Sequence, residues 1–130
     1  MEGERRYTLA EASALIGPLG ALIEELRAAR AVITDGELAA RLAGHAPGNG
    51  GGTDGRRFGE AALRFSRGLA QLERWGVIVR DLDTGICDFP ARRGDRDVFL
   101  CWRVGEERIG WWHELEAGFQ GRRPLDDQTL

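Results

Sequence analysis

The hydrophobic pattern changes period once, at Gly76, and that change constrains the fold more than any motif. Before it, apolar residues recur every three or four positions, which places them on one face of a helix. After it, β-branched and aromatic runs alternate with turn residues, the pattern of short strands. In the first stretch the apolar series is Leu9, Ala12, Leu15, Ile16, Leu19, Leu22, Ile23 and Leu26. Thr8 followed by Glu11 is a capping-box signature for the start of this helix. Gly17-Pro18 falls inside the series, and proline lacks an amide hydrogen and crowds the preceding turn, so a kink or break is predicted there.

A shorter helix is expected from Asp35 to about Leu42, which makes residues 1–43 helical. Residues 44–56, dominated by glycine, read as a flexible linker. No strand precedes this run and no Gly-Lys-Ser/Thr follows it, so it is not a phosphate cradle. A second long helix is predicted over 57–76, antiparallel to the first, with Ala61, Leu63, Phe65, Leu69, Leu72 and Trp75 as apolar surface and Gly76 as its stop.

From 77 to 117 the chain reads as a β-meander. Val77-Ile78-Val79, Ile86 to Ala91, Val98 to Arg103 and Arg108 to His113 are the extended runs. Turns fall at Asp81-Leu82-Asp83-Thr84-Gly85, Arg93-Gly94-Asp95-Arg96 and Gly105-Glu106-Glu107. Residues 118–130 read as a tail that crosses the surface or frays. The expected fold is α+β: an antiparallel helical pair, the first helix kinked, then a three- to four-stranded antiparallel meander. At 130 residues this is a single domain, large enough to bury a core without a staple.

All 18 basic residues are arginine. Without an ε-amine there is no P-loop lysine, no Schiff base and no serine–lysine dyad. Charge is even along the chain, with 8 Arg and 9 acids in residues 1–65 and 10 Arg and 12 acids in residues 66–130. No basic domain emerges, so neither a nucleic-acid nor a membrane partner is expected. The most apolar stretch, Leu15 to Ile23, is about half a membrane span, and the residues after Met1 lack a signal-peptide core. A cytoplasmic protein with Cys87 and Cys101 reduced is expected.

Most catalytic motifs fail on residues. Cys87, Cys101 and His113 are too far apart in sequence to supply the close ligand pair with which zinc sites open, so no metal site and no cofactor are expected. His113-Glu114 lacks the second histidine of a metalloprotease helix, since Ala117 stands there. Asp81 to Gly85 lacks the later acids of a calcium loop, and Asp83-Thr84-Gly85 is a turn before it is an aspartic-protease triplet. Ser13 and Ser66 have no nucleophile elbow.

What remains is a concentration of Asp81, Asp83, Asp88, Arg103, His113, Glu114 and Glu116 at strand ends, among Phe89, Trp102, Trp111 and Trp112. Carboxylates with an imidazole suit acid–base chemistry or a hard metal ion. Equally, they suit turn caps and Arg–carboxylate pairs. In the strand around Val98 alternation sends Val98, Leu100 and Trp102 to one face and Phe99, Cys101 and Arg103 to the other. Both faces are apolar, so the second is expected to meet the tail or another subunit; a homodimer is one hypothesis.

The segment Gly76 through Pro90 resembles the uncharacterised bacterial family catalogued as domain of unknown function 2203. So do Val98 to Arg103 with Gly105-Glu106, Trp112 to Phe119, Gly121-Arg122 and the opening Tyr7 to Ala12. The resemblance implies no activity or ligand. It does add Arg122 to the positions of interest, beside Asp81, Asp83, Asp88, Trp102, Arg103, His113 and Glu114.

Two readings follow. The first is a non-enzymatic binding or regulatory module for a protein or small-molecule partner, with Asp81, Asp88, Trp102, Arg103, Trp112 and Arg122 as binding residues. The second is a small metal-dependent or acid–base hydrolase using Asp83, Asp88, His113 and Glu114. Geometry separates them: catalysis needs His113 and an aspartate within reach of each other, lining a cavity.

Overall fold

A computed structural model of the chain describes residues 5–44 and 52–126. Three helices, α1 (Leu9–Ile33), α2 (Gly36–Ala43) and α3 (Gly52–Trp75), precede five strands. The strands are β1 (Ile78–Asp81), β2 (Ile86–Arg93), β3 (Arg96–Arg103), β4 (Trp111–Glu114) and β5 (Arg123–Pro124). They form one antiparallel sheet in sequence order, so the α+β class stands. Within the span read as a single domain, packing forms two compact units, Leu22–Gln71 and the remainder on either side of it.

The capping box forms as the residues require: Glu11 N–H donates to Thr8 Oγ1 at 3.1 Å, and Thr8 N–H to Glu11 Oε1 at 2.8 Å. The break predicted at Gly17-Pro18 does not occur; α1 is one uninterrupted helix with Pro18 inside it. Both residues are exposed, as is Ala14, so the carbonyl that proline leaves without a donor faces water. Asp35 caps α2 by accepting from Glu37 N–H and Leu38 N–H. α3 begins at Gly52 rather than near Arg57, so 52–56, read as linker, are helical. Residues 45–51 of that linker lie outside the described residues.

Within unit Leu22–Gln71 the buried side chains are Ile23, Leu26, Ala29, Leu38 and Ala61. Gly68 packs so closely that an added Cβ would fall 2.5 Å from Leu26 Cδ2.

α3 ends where the sequence says it must. Gly76 has φ +71, its N–H bonds to Glu73 O at 3.0 Å, and Val77 N–H reaches back to Leu72 O at 3.2 Å. That is a Schellman stop, which needs the left-handed conformation that glycine adopts without strain.

The β2–β3 hairpin turns on two residues, Gly94 and Asp95, with positive φ at the glycine and not at the aspartate. Glycine first with positive φ is the type II′ pattern, whose twist matches that of paired strands. The tight turn fixes the register, setting Asp88 opposite Cys101 and Cys87 opposite Trp102. β4 continues the pairing, with His113 opposite Phe99 and Trp111 opposite Cys101. Within the expected tail, Phe119–Gly121 form a 3₁₀ turn and Arg123–Pro124 a fifth strand on β4, one more than the meander was expected to have; 127–130 lie outside the described residues.

The two sheet faces differ as alternation predicts. On one, Phe89, Leu100 and Trp102 form the core, with Tyr7 edge-on to Phe89 at 5.2 Å and Gly20 of α1 against Trp102. The other carries Asp88, Phe99, Cys101 and His113, all buried. The chain itself contributes cover there: Arg80 lies over Phe99, and Arg122 over Trp111 and Phe119.

Candidate functional site

Three consecutive strands each send one polar side chain into the same interior space. Asp88 comes from β2, Cys101 from β3 and His113 from β4; their ligand-type atoms all lie within 4.8 Å of one another. Asp88 and His113 are each 1% exposed and Cys101 0%. Burial of this depth demands that every polar atom be satisfied, and among the described residues no buried side-chain N or O lacks a partner.

The outward-facing atoms of Asp88 and His113 are taken first. Arg80 Nε donates to Asp88 Oδ2 at 2.8 Å, from a side chain 46% exposed to one 2% exposed. His113 Nδ1 lies 2.6 Å from Glu114 O. A carbonyl oxygen only accepts, so Nδ1 carries the hydrogen. That leaves His113 Nε2 facing Asp88 Oδ1 at 3.0 Å. A bare imidazole nitrogen and a bare carboxylate oxygen would repel at that distance, so a positive charge, proton or ion, sits between them.

Cys101 completes the group. Burial pushes its thiol up to about 12; the Asp88 charge pushes the same way and Arg122 opposes both. Without a cation this thiol is inert. Cys87, on the next strand but the opposite face, is also buried; it forms no disulfide, and its thiol donates to Gly85 O at 3.5 Å.

Beside the group stands Arg122, 16% exposed, 3.2 Å from Glu106 Oε2 and 4.6 and 4.1 Å from the Trp111 and Phe119 rings. Glu106 is itself fixed, since its Oε1 accepts from Arg103 N–H and its carbonyl from Trp102 Nε1.

Of the sequence candidates, then, Asp88 and His113 come together. Glu114 does not join them: adjacent residues of a strand face opposite sides, and its carboxylate pairs with Arg96. Asp81, the exposed last residue of β1, and Asp83, exposed in the turn after it, stand apart from the group, Asp81 Oδ1 accepting from Asp83 N–H at 3.0 Å. Trp102 and Trp112 lie on the opposite face, in the core, and the Arg103 side chain is exposed. The sequence reasoning missed Cys101 as a partner of Asp88, and Arg80 and Glu106 as positioning groups. The register of a two-residue hairpin would have found the first.

A second polar feature occupies the core-side face at the sheet's other end. Arg93 and Arg123, both exposed, lie 4.7 and 5.4 Å from the Trp112 ring. Neither is paired with a carboxylate among the described residues. The main surface cavities, from about 350 to 610 Å³, are lined by other residues than Asp88, Cys101 or His113.

These features define a small α+β protein: a five-stranded meander with a sealed Asp–Cys–His group on one face and arginine-clad aromatics at its margins. No described helix is long and apolar enough to cross a membrane. The chain belongs to the family described as "Uncharacterized conserved protein (DUF2203)", which it matches over residues 5–125. No curated protein and no solved structure matches it.

Proposed function

We propose that the protein is a non-enzymatic, cytoplasmic binding module whose meander recognises a carboxylate-rich segment of a protein partner. The observation that carries this reading is the pair of exposed guanidiniums, Arg93 and Arg123, held over one indole and ion-paired with no carboxylate among the described residues. Cation–π contact with Trp112 at 4.7 and 5.4 Å holds two exposed guanidiniums side by side, and the fork geometry of arginine suits bidentate capture of carboxylates. Two guanidiniums suit one or a few carboxylates, whereas the extended phosphate backbone of a nucleic acid calls for a basic surface that the chain's net charge of −3 and even spread of arginines do not offer.

The hydrolase reading has weaker support. Asp88 and His113 are close enough for acid–base work, but each is 1% exposed and away from the main cavities.

The test is a titration of the full chain, followed by ¹⁵N NMR, with an oligoglutamate peptide, inorganic phosphate and a short DNA duplex as separate probes. The peptide should shift the Arg93, Trp112 and Arg123 signals, more weakly as salt rises, and Arg93→Ala/Arg123→Ala should abolish the response. No shift in the wild type, an equal shift in the double variant, or tighter binding of the duplex would each overturn the reading. A second copy of the chain is the competing source of the same carboxylates; light scattering at micromolar concentration reads it directly, a dimer that Arg123→Ala dissociates replacing the foreign partner.

A further inference from the structure

The Asp88–Cys101–His113 group has the organisation of a metal centre and not merely of a buried ion pair. Ligating histidines almost always donate their second ring N–H to a carbonyl or carboxylate, and ligating carboxylates are hydrogen-bonded on their free oxygen. Both outer contacts exist here. His113 Nδ1–H is held by Glu114 O at 2.6 Å and Asp88 Oδ2 by Arg80 Nε at 2.8 Å. These contacts leave the two remaining lone-pair atoms, Nε2 and Oδ1, facing each other at 3.0 Å, and Cys101 Sγ completes a set in which one ligand-type atom of each residue lies within 4.8 Å of the others.

We propose that Asp88 Oδ1, Cys101 Sγ and His113 Nε2 form a binding site for a divalent transition-metal ion, with zinc the best match. One oxygen, one sulfur and one imidazole nitrogen form a mixed set that suits a borderline-soft ion; calcium and magnesium prefer oxygen alone. Tetrahedral zinc spaces such ligand atoms roughly 3.2–3.8 Å apart, so small side-chain rotations close the group around the ion. The ion supplies the positive charge that Nε2 and Oδ1 require between them. Three protein ligands leave one coordination position, and no main cavity leads to it. The ion's role is therefore to fasten β2, β3 and β4 together rather than to activate a substrate. Cys87 takes no part, because it faces the other side of the sheet.

The experiment uses the full chain without a histidine tag, stripped with chelator and titrated with zinc under native mass spectrometry and with cobalt under absorption spectroscopy. One ion should bind per chain, and the cobalt form should show the near-ultraviolet charge-transfer band of a thiolate ligand. Cys87→Ala should keep the stoichiometry and the band. Cys101→Ser should lose the band and bind zinc at least about 100-fold more weakly, and Arg80→Ala, which removes the outer contact to Asp88 together with the cover over Phe99 but no ligand, about 10–100-fold more weakly with the band kept. Should Cys101→Ser fail to fold, the wild type alone still decides, through the ¹⁵N shift of His113 Nε2 on zinc addition. No uptake by the wild type at micromolar metal, a cobalt complex without the thiolate band, or equal binding by a folded Cys101→Ser would overturn the proposal.

Discussion

His113 is the residue on which the interior of the sheet turns. It satisfies Asp88 on one side and the Glu114 carbonyl on the other, from a position 1% exposed. Removing it leaves the buried Asp88 carboxylate without its imidazole partner, and breaking a buried pair in this way costs about 3–5 kcal/mol. His113→Ala should therefore lose about that much in urea denaturation of the metal-free chain; a loss under about 1 kcal/mol would mean that the pair contributes little. Tyr7 gives a pH signature. Burial raises its phenol above the usual value, its hydroxyl donating to Trp75 O at 2.6 Å. A raised folded value favours the protonated form, so the contribution is complete below about pH 10 and disappears as pH rises through the folded value. Tyr7→Phe should flatten the alkaline limb of the stability curve. Asp97 acts in the opposite sense: the Arg6 hydrogen bond holds its carboxyl below the usual range. Its contribution is present above about pH 4 and is lost as pH falls through the lowered folded value, so Arg6→Ala should flatten the acid limb.

At the scale of elements, local rules decided most boundaries, and the exceptions have physical causes. Thr8–Glu11, Asp35 and Gly76 each satisfy orphan backbone groups in the way their side chains or dihedrals dictate, and each was legible. Of the kink or break expected at Pro18, the break is absent: the carbonyl that the proline leaves without a donor stands at an exposed position, and exposure cannot be read from the residue itself. The candidate site divides along the same line. Asp88 facing Cys101 follows from a two-residue turn at Gly94-Asp95, by counting outward from it. The β3–β4 connection is longer and irregular, so His113 opposite Phe99 could not be counted. Arg123–Pro124 was too short for any periodicity to mark as a strand. Gly76→Ala tests the helix stop: its new Cβ would meet only Arg5 Cβ at an ordinary 3.8 Å, so the expected loss of about 1–2 kcal/mol in thermal unfolding is backbone strain. No loss would mean that residue 76 does not need a left-handed conformation.

For the whole molecule, a sheet whose strands pair only with their sequence neighbours grades from centre to edge. β2 and β3 pair over eight residues each, whereas β5 has two, both exposed. Native-state hydrogen exchange should find amides of 86–93 and 98–103 slowest and those near 123–124 fastest, the latter opening without global unfolding. Equal protection across the sheet would count against this grading. The absence of lysine also shows at this scale, since every cation laid over a ring here is a guanidinium.

Trp112 lies under two cations at the margin of the sheet, and an indole's emission responds to charge beside it. The protein thus carries its own optical gauge of whatever settles on Arg93 and Arg123. Subtracting the spectrum of Trp112→Phe from that of the wild type isolates this signal from Trp75, Trp102 and Trp111, and occupancy can then be followed in an unlabelled sample.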